Sequence, residues 1–126
     1  MNEAALLHGD YWPGNLLWNE GQLVAVIDWE VAQLGDPLAD LCISRLDMLW
    51  LLGTEAMHEF TEAYRSQTTI DFTNLPYWDL CTALRPMGQI AEWASVYPAL
   101  GRPDITEQSM RADHRLFVEQ ALAKLD

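Results

Sequence analysis

The chain has 126 residues, 50% of them apolar and 21% charged, a balance that fits a folded globular unit and excludes a disordered tail. Nineteen acidic residues against seven basic ones give a net charge of -12, which opposes binding to nucleic acid or to an anionic membrane. The same charge favours a cationic small molecule, although its simplest use is a soluble, self-repelling surface.

No apolar run reaches the ~20 residues of a membrane span, and Met1 to Leu7 has no basic region of a signal peptide. Cys42 and Cys81 stand far apart with no zinc or redox spacing, so both are expected as buried, reduced thiols. A cytoplasmic compartment is the expectation that follows.

In chain order, Leu16-Leu17-Trp18 and Leu23 to Ile27 are apolar runs separated by Asn19-Glu20-Gly21-Gln22, which has turn chemistry. They predict a β-hairpin over about 16–27, with Asp28 at its exit. Asp36-Pro37 predicts a helix start, because Asp caps free amides and Pro needs no N–H in the first turn. Apolar residues at helical spacing carry this helix to about 52, where Gly53 is a stop. Thr54 is expected to cap a second helix, near 55–65, with Met57, Phe60 and Tyr64 on one face. Residues 66–75 read as a polar turn. A third helix is predicted over about 76–96, kinked at Pro86. Tyr97 to Asp104 reads as a loop, and Thr106 opens a terminal helix over about 107–125. The expected fold is mainly α with one small hairpin, in a single domain over 1–126.

Two segments carry the chemistry. One is His8-Gly9-Asp10-Tyr11-Trp12-Pro13-Gly14-Asn15, and the other is Ile27-Asp28-Trp29-Glu30. Phosphoryl transfer needs a carboxylate beside the acceptor hydroxyl and hard oxygen ligands for Mg²⁺. Asp10 and Asn15 share one Gly- and Pro-shaped loop, and the hairpin brings Asp28 back towards Asn15. The pattern His-x-Asp with Asn five residues after the Asp, then a later Asp, matches kinase catalytic segments, with Gly9 where those have Arg and Trp29-Glu30 where they have Phe-Gly.

HGDYWPGNLLW followed by VIDWEVAQLGDPLADL resembles the aminoglycoside phosphotransferase family, which also takes in choline-kinase-like enzymes. The match has three parts: His8-Gly9-Asp10 with Asn15, Ile27-Asp28-Trp29, and Gly35-Asp36-Pro37 with Asp40-Leu41. It covers residues 8–41. The resemblance implies the C-terminal lobe of a protein-kinase-like fold, with a catalytic loop at 8–15, a metal-binding segment at 27–30 and a helical remainder over 36–126. It implies an ATP-dependent transfer of the γ-phosphoryl group to a hydroxyl of a small molecule, such as an aminoglycoside. By that resemblance Asp10 is the base or the carboxylate that orients the acceptor hydroxyl, His8 braces its loop, and Asn15 and Asp28 bind Mg²⁺ and through it ATP. Glu30 assists at the metal, Asp36 caps a helix and Asp40 braces the catalytic loop.

Other readings of the same residues stay open. Turn-forming residues produce Asp-x-x-x-x-Asn loops by chance. His8 and Asp10 could instead begin a hydrolase metal pair with His58 or His114, but neither His has an acidic or His partner at ligand spacing. Trp12 and Trp29 could line a pocket or pack; Trp50, Trp78 and Trp93 are expected in the core. Kinase-like enzymes also have a Gly-rich loop and a strand Lys, whereas the only Lys here is Lys124. The expectation is therefore an isolated chain of very low activity that associates, as a homodimer or with a partner supplying the nucleotide lobe. A fragment of a larger enzyme, one subunit of a split enzyme and a non-catalytic binding or scaffold lobe are the three alternatives.

Overall fold

The structure is a computed structural model that describes residues 1–125. Its strands are β1 (Ala5–Leu7), β2 (Leu16–Asn19), β3 (Gln22–Val26) and β4 (Gln33–Gly35). Its helices are α1 (Pro37–Leu52), α2 (Thr54–Ser66), α3 (Leu75–Ala83), α4 (Ile90–Ala94) and α5 (Glu107–Leu125). The chain is mostly helical, with two small antiparallel sheets.

The predicted hairpin is β2–β3, with Leu16 opposite Val26 and Asn19 opposite Gln22. Its two turn residues, Glu20 at φ 51° and Gly21 at φ 77°, both have the positive φ that matches the twist of a tight hairpin. The second sheet, β1 against β4, was not expected from the sequence. It pairs Leu7 with Gln33, just outside the two chemistry-bearing segments. Segments 8–15 and 27–32 are thus tied together at both ends, by β2–β3 on one side and β1–β4 on the other.

Asp36 caps α1 as expected, accepting from Leu38 N at 2.9 Å, and Gly53 at φ 97° ends it. The cap of α2 is Gly53 rather than Thr54, which is already the first helical residue and makes no side-chain cap. Met57 on α2 joins a core with Leu49, Trp50, Met110 and Phe117. Phe60 and Tyr64 pack on a second core of Leu38, Leu41, Cys42 and Leu75. Full burial of each such side chain contributes ~1.5–3 kcal/mol. Cys42 is buried, whereas Cys81 is only partly so.

The single helix predicted over 76–96 is instead two, because Pro86 breaks it rather than kinking it. Pro86 has no N–H to continue the ladder, and Arg85 N takes the Thr82 carbonyl at 3.0 Å instead. Turns closed from Gln89 N to Pro86 O, with Gly88 at φ 80°, carry the chain to α4. At α5, Thr106 and Ser109 cap each other reciprocally: Ser109 N donates to Thr106 Oγ1 and Thr106 N to Ser109 Oγ. Asp126 lies outside the described residues. No described helix is long and apolar enough to cross a membrane.

Candidate functional site

The loop after β1 is shaped by Asp40 on the first turn of α1. Its carboxylate accepts His8 N at 2.7 Å and Gly9 N at 2.8 Å, so two amides of an irregular loop are satisfied by one charged group. Gly9 stands at φ 88°, and a Cβ there would lie 2.8 Å from the Val31 carbonyl oxygen. Only glycine allows segments 8–15 and 27–32 to approach this closely.

His8 is buried and joins the two segments. Asp10 N donates to its Nδ1 at 3.0 Å, and its Nε2 lies 2.7 Å from the Ile27 carbonyl. An amide can only donate and a carbonyl can only accept, so the ring is the neutral Nε2–H tautomer. The Trp29 ring lies against it at 4.5 Å between centroids. Trp29 thus packs on His8 while staying about half exposed.

Asn15 is buried at the end of a single 3₁₀ turn, Pro13–Asn15. Its Nδ2 donates to Asp10 O at 2.8 Å and Asp10 Oδ2 at 3.3 Å, which leaves Oδ1 as the free end of the side chain. Its backbone carbonyl accepts from Ile27 N at 2.9 Å, so Asp28 follows directly on the residue bonded to Asn15. Asp28 is exposed and stands at φ 64°, a left-handed conformation that costs a non-glycine residue energy. Glu30 is exposed beyond Trp29, with no hydrogen bond joining it to this cluster among the described residues.

No three His, Cys, Asp or Glu side chains among the described residues come together at metal-ligand spacing. His58 is exposed, and His114 Nε2 is hydrogen-bonded to the Ala83 carbonyl at 2.8 Å, which removes both as ligands of a His8–Asp10 centre. Among the described residues Asn15 Oδ1 and the Asp28 carboxylate have no hydrogen-bond partner, and both are oxygens of the hard kind that Mg²⁺ takes, one or two from a protein with the rest from water and phosphate.

On its other side Asp10 opens into a cavity of about 360 Å³. The walls are Trp12, Trp50, Trp93, Val96 and Tyr97, and the polar groups are Asp10, Asp47, Arg85 and Glu92. Trp50 and Trp93, expected as core alone, each give a face to this cavity. Asp47 and Arg85 carried no signal in the sequence: neither belongs to a motif, and the packing of α1 near the turn after α3 brings them beside Asp10.

Burial pushes the Asp47 carboxyl up to about 7, with the Arg85 guanidinium pulling it down and Asp10 pushing it further up. Its folded-state affinity for the proton thus exceeds that of an unfolded Asp. Below about pH 4 both states are protonated and the group is neutral to stability. As pH rises from there to about 7 the unfolded chain ionises first, and stability is lost. Asp47→Asn should therefore stabilise the fold at pH 8 by on the order of 2 kcal/mol and leave it unchanged at pH 3.5. Urea titrations of both proteins at the two pH values check this. An equal difference at both would place the carboxyl in water.

A family model described as "Phosphotransferase enzyme family" matches residues 2–79. Among curated proteins, the chain is 32% identical over 100 residues to acyl-CoA dehydrogenase family member 11 of Rattus norvegicus, covering 66% of this chain and 13% of the relative. It is 39% identical over 51 residues to the Gallus gallus protein of the same name, covering 39% and 7%. It is 44% identical over 48 residues to acyl-CoA dehydrogenase family member 10 of Mus musculus, covering 36% and 4%. The chain thus spans at most 13% of the length of these relatives. No solved structure matches it.

Proposed function

The chain belongs to the phosphotransferase enzyme family, and on that premise we propose that it is the catalytic, C-terminal lobe of a kinase-like enzyme. The reaction is transfer of the ATP γ-phosphoryl group to a hydroxyl of a small molecule. One observation carries the reading. The Asp10 carboxylate lines a walled cavity and also receives the side-chain amide of Asn15, whose backbone carbonyl accepts from Ile27 N, the residue before Asp28.

Asp10 takes the acceptor's proton at its cavity side. Asn15 Oδ1 and the Asp28 carboxylate would hold Mg²⁺, and Glu30 would assist there. When bound, ATP supplies the phosphoryl group and Mg²⁺ offsets the charge on its oxygens. His8 keeps the two segments in register, through Asp10 N on one side and the Ile27 carbonyl on the other. The protein's part in this reaction is almost wholly positioning and electrostatics.

The aromatic walls and the carboxylates of Asp47 and Glu92 suit a hydroxyl compound with an apolar body, and an amine on it would be well received. Exposed apolar side chains close to the metal side, among them Trp18, Val24, Val31 and Leu34, support a covering surface from a second copy or a nucleotide-holding lobe.

The metal assignment has a direct test. With Mn²⁺ in place of Mg²⁺ and ATP present, paramagnetic broadening should centre on the Asn15 and Asp28 amide resonances. Asp28→Ala should weaken it at least tenfold in metal titration. Broadening spread evenly over surface carboxylates would remove this site.

A further inference from the structure

The break in the helix at Pro86 has a consequence for the reacting carboxylate. Arg85 leaves the turn between α3 and α4 and crosses to the catalytic loop. Its Nη2 donates to the Gly9 carbonyl at 3.4 Å and lies 3.9 Å from Asp10 Oδ1. The other carboxylate oxygen, Oδ2, receives the Asn15 amide at 3.3 Å. Each oxygen of Asp10 thus has its own cationic or amide neighbour, and the two neighbours come from opposite sides. Arg85 is also the only cation lining the cavity among the described residues, where it faces Asp10, Asp47 and Glu92. Asp10 is partly exposed, so packing alone does not fix its side chain.

We propose that Arg85 is a positioning residue for Asp10, fixing the plane of its carboxylate against Asn15 and holding the Gly9 turn of the catalytic loop. This rests on Asp10 being the group that takes the acceptor's proton. A uniform helix through residue 86 would continue its ladder past Arg85. The turn forced by Pro86 gives the guanidinium its direction, and the fully buried Pro86 ring anchors it. Arg85 serves two of the three carboxylates of the cavity, so its removal leaves Asp10 free to rotate and Asp47 without its nearby positive charge.

The test uses the whole chain and three variants: Arg85→Gln, Arg85→Lys and Asp10→Asn. The first readout needs no turnover. Arg85→Gln should move the Asp10 carboxyl carbon and the Gly9 amide resonance, some 76 residues away in the chain, and should raise the pH at which the Asp47 carboxyl titrates. Arg85→Lys keeps the charge and should hold the Asp47 titration near wild type while restoring the Asp10 resonance in part. The second readout is slow hydrolysis of MgATP with water as acceptor. Arg85→Gln should lower its kcat about 10- to 100-fold, the scale of a misplaced reacting group, with KM for ATP unchanged. Unchanged Asp10 and Gly9 resonances in Arg85→Gln would overturn the proposal. So would a Lys variant indistinguishable from Gln, or moved resonances with a wild-type rate, which would make Arg85 a loop brace alone. An Asp10→Asn protein that hydrolyses MgATP at the wild-type rate would instead sink the functional reading, while the Arg85 resonances would still report the contact.

Discussion

Asp10→Asn should lower phosphoryl transfer about 10²–10⁴-fold, the usual contribution of a positioned acid–base group. MgATP affinity should change little, because the proposed metal oxygens belong to Asn15 and Asp28. The substitution is close to isosteric. Its carboxamide can still receive the Asn15 amide, and the Asp10 backbone N–H still reaches His8. Thermal stability should therefore stay near wild type, so lost turnover would not be lost fold. The measurement is transfer of labelled γ-phosphate in Mg²⁺, with a panel of hydroxyl acceptors and with water. Turnover within a factor of three of wild type would reassign the base and empty the proposal of its central residue.

Asp79→Ala should cost ~3–5 kcal/mol of stability. Arg45 donates from Nε to Asp79 Oδ1 and from Nη2 to Oδ2, each at 3.0 Å, and both side chains are under 8% exposed. The same guanidinium donates to Thr61 and lies over the Phe117 ring at 5.9 Å. One side chain of α1 thereby joins α2, α3 and α5. Removing the carboxylate strands a buried cation that the remaining partners do not neutralise. Domains of this size have only ~5–15 kcal/mol in all, so the variant should sit close to unfolding at 37 °C. Chemical denaturation of Asp79→Ala beside Arg45→Met/Asp79→Leu checks the mechanism. The double variant should recover most of the loss, because it buries no unpaired charge. A single variant within 1 kcal/mol of wild type would mean that water reaches the pair.

The features legible in the sequence were those written in adjacent residues. Asn19 to Gln22 announced a turn because its residues have turn chemistry and Gly21 can take positive φ, and the hairpin followed. Asp36-Pro37 announced a helix because capping is chemistry of neighbours. The β1–β4 pair was hidden because three-residue strands nearly thirty residues apart have no period to detect. Pro86 was read as a kink because a pattern of apolar residues on both sides outweighed it. The structure gives the missing N–H the greater weight. His8, Asp10, Asn15, Asp28 and Asp40 were singled out because their motifs resemble those of the aminoglycoside phosphotransferase family, and the structure ties His8, Asp10, Asn15 and Asp40 together by hydrogen bonds. Asp47 and Arg85 could not be singled out, since their meaning comes from a contact between α1, the loop after β1 and the turn before α4.

Asp28 sets stability against purpose at a single position. Its backbone is held at φ 64°, which costs an L-residue roughly 1 kcal/mol or more and carries no steric cost for glycine. A selection for heat resistance that ignored chemistry would drift towards glycine here. It would be rewarded with a firmer protein and would discard a carboxylate that the proposed function needs for the metal. Directed evolution of this chain should therefore hold residue 28 constant, and a hardened variant that has changed it deserves an activity measurement before any other.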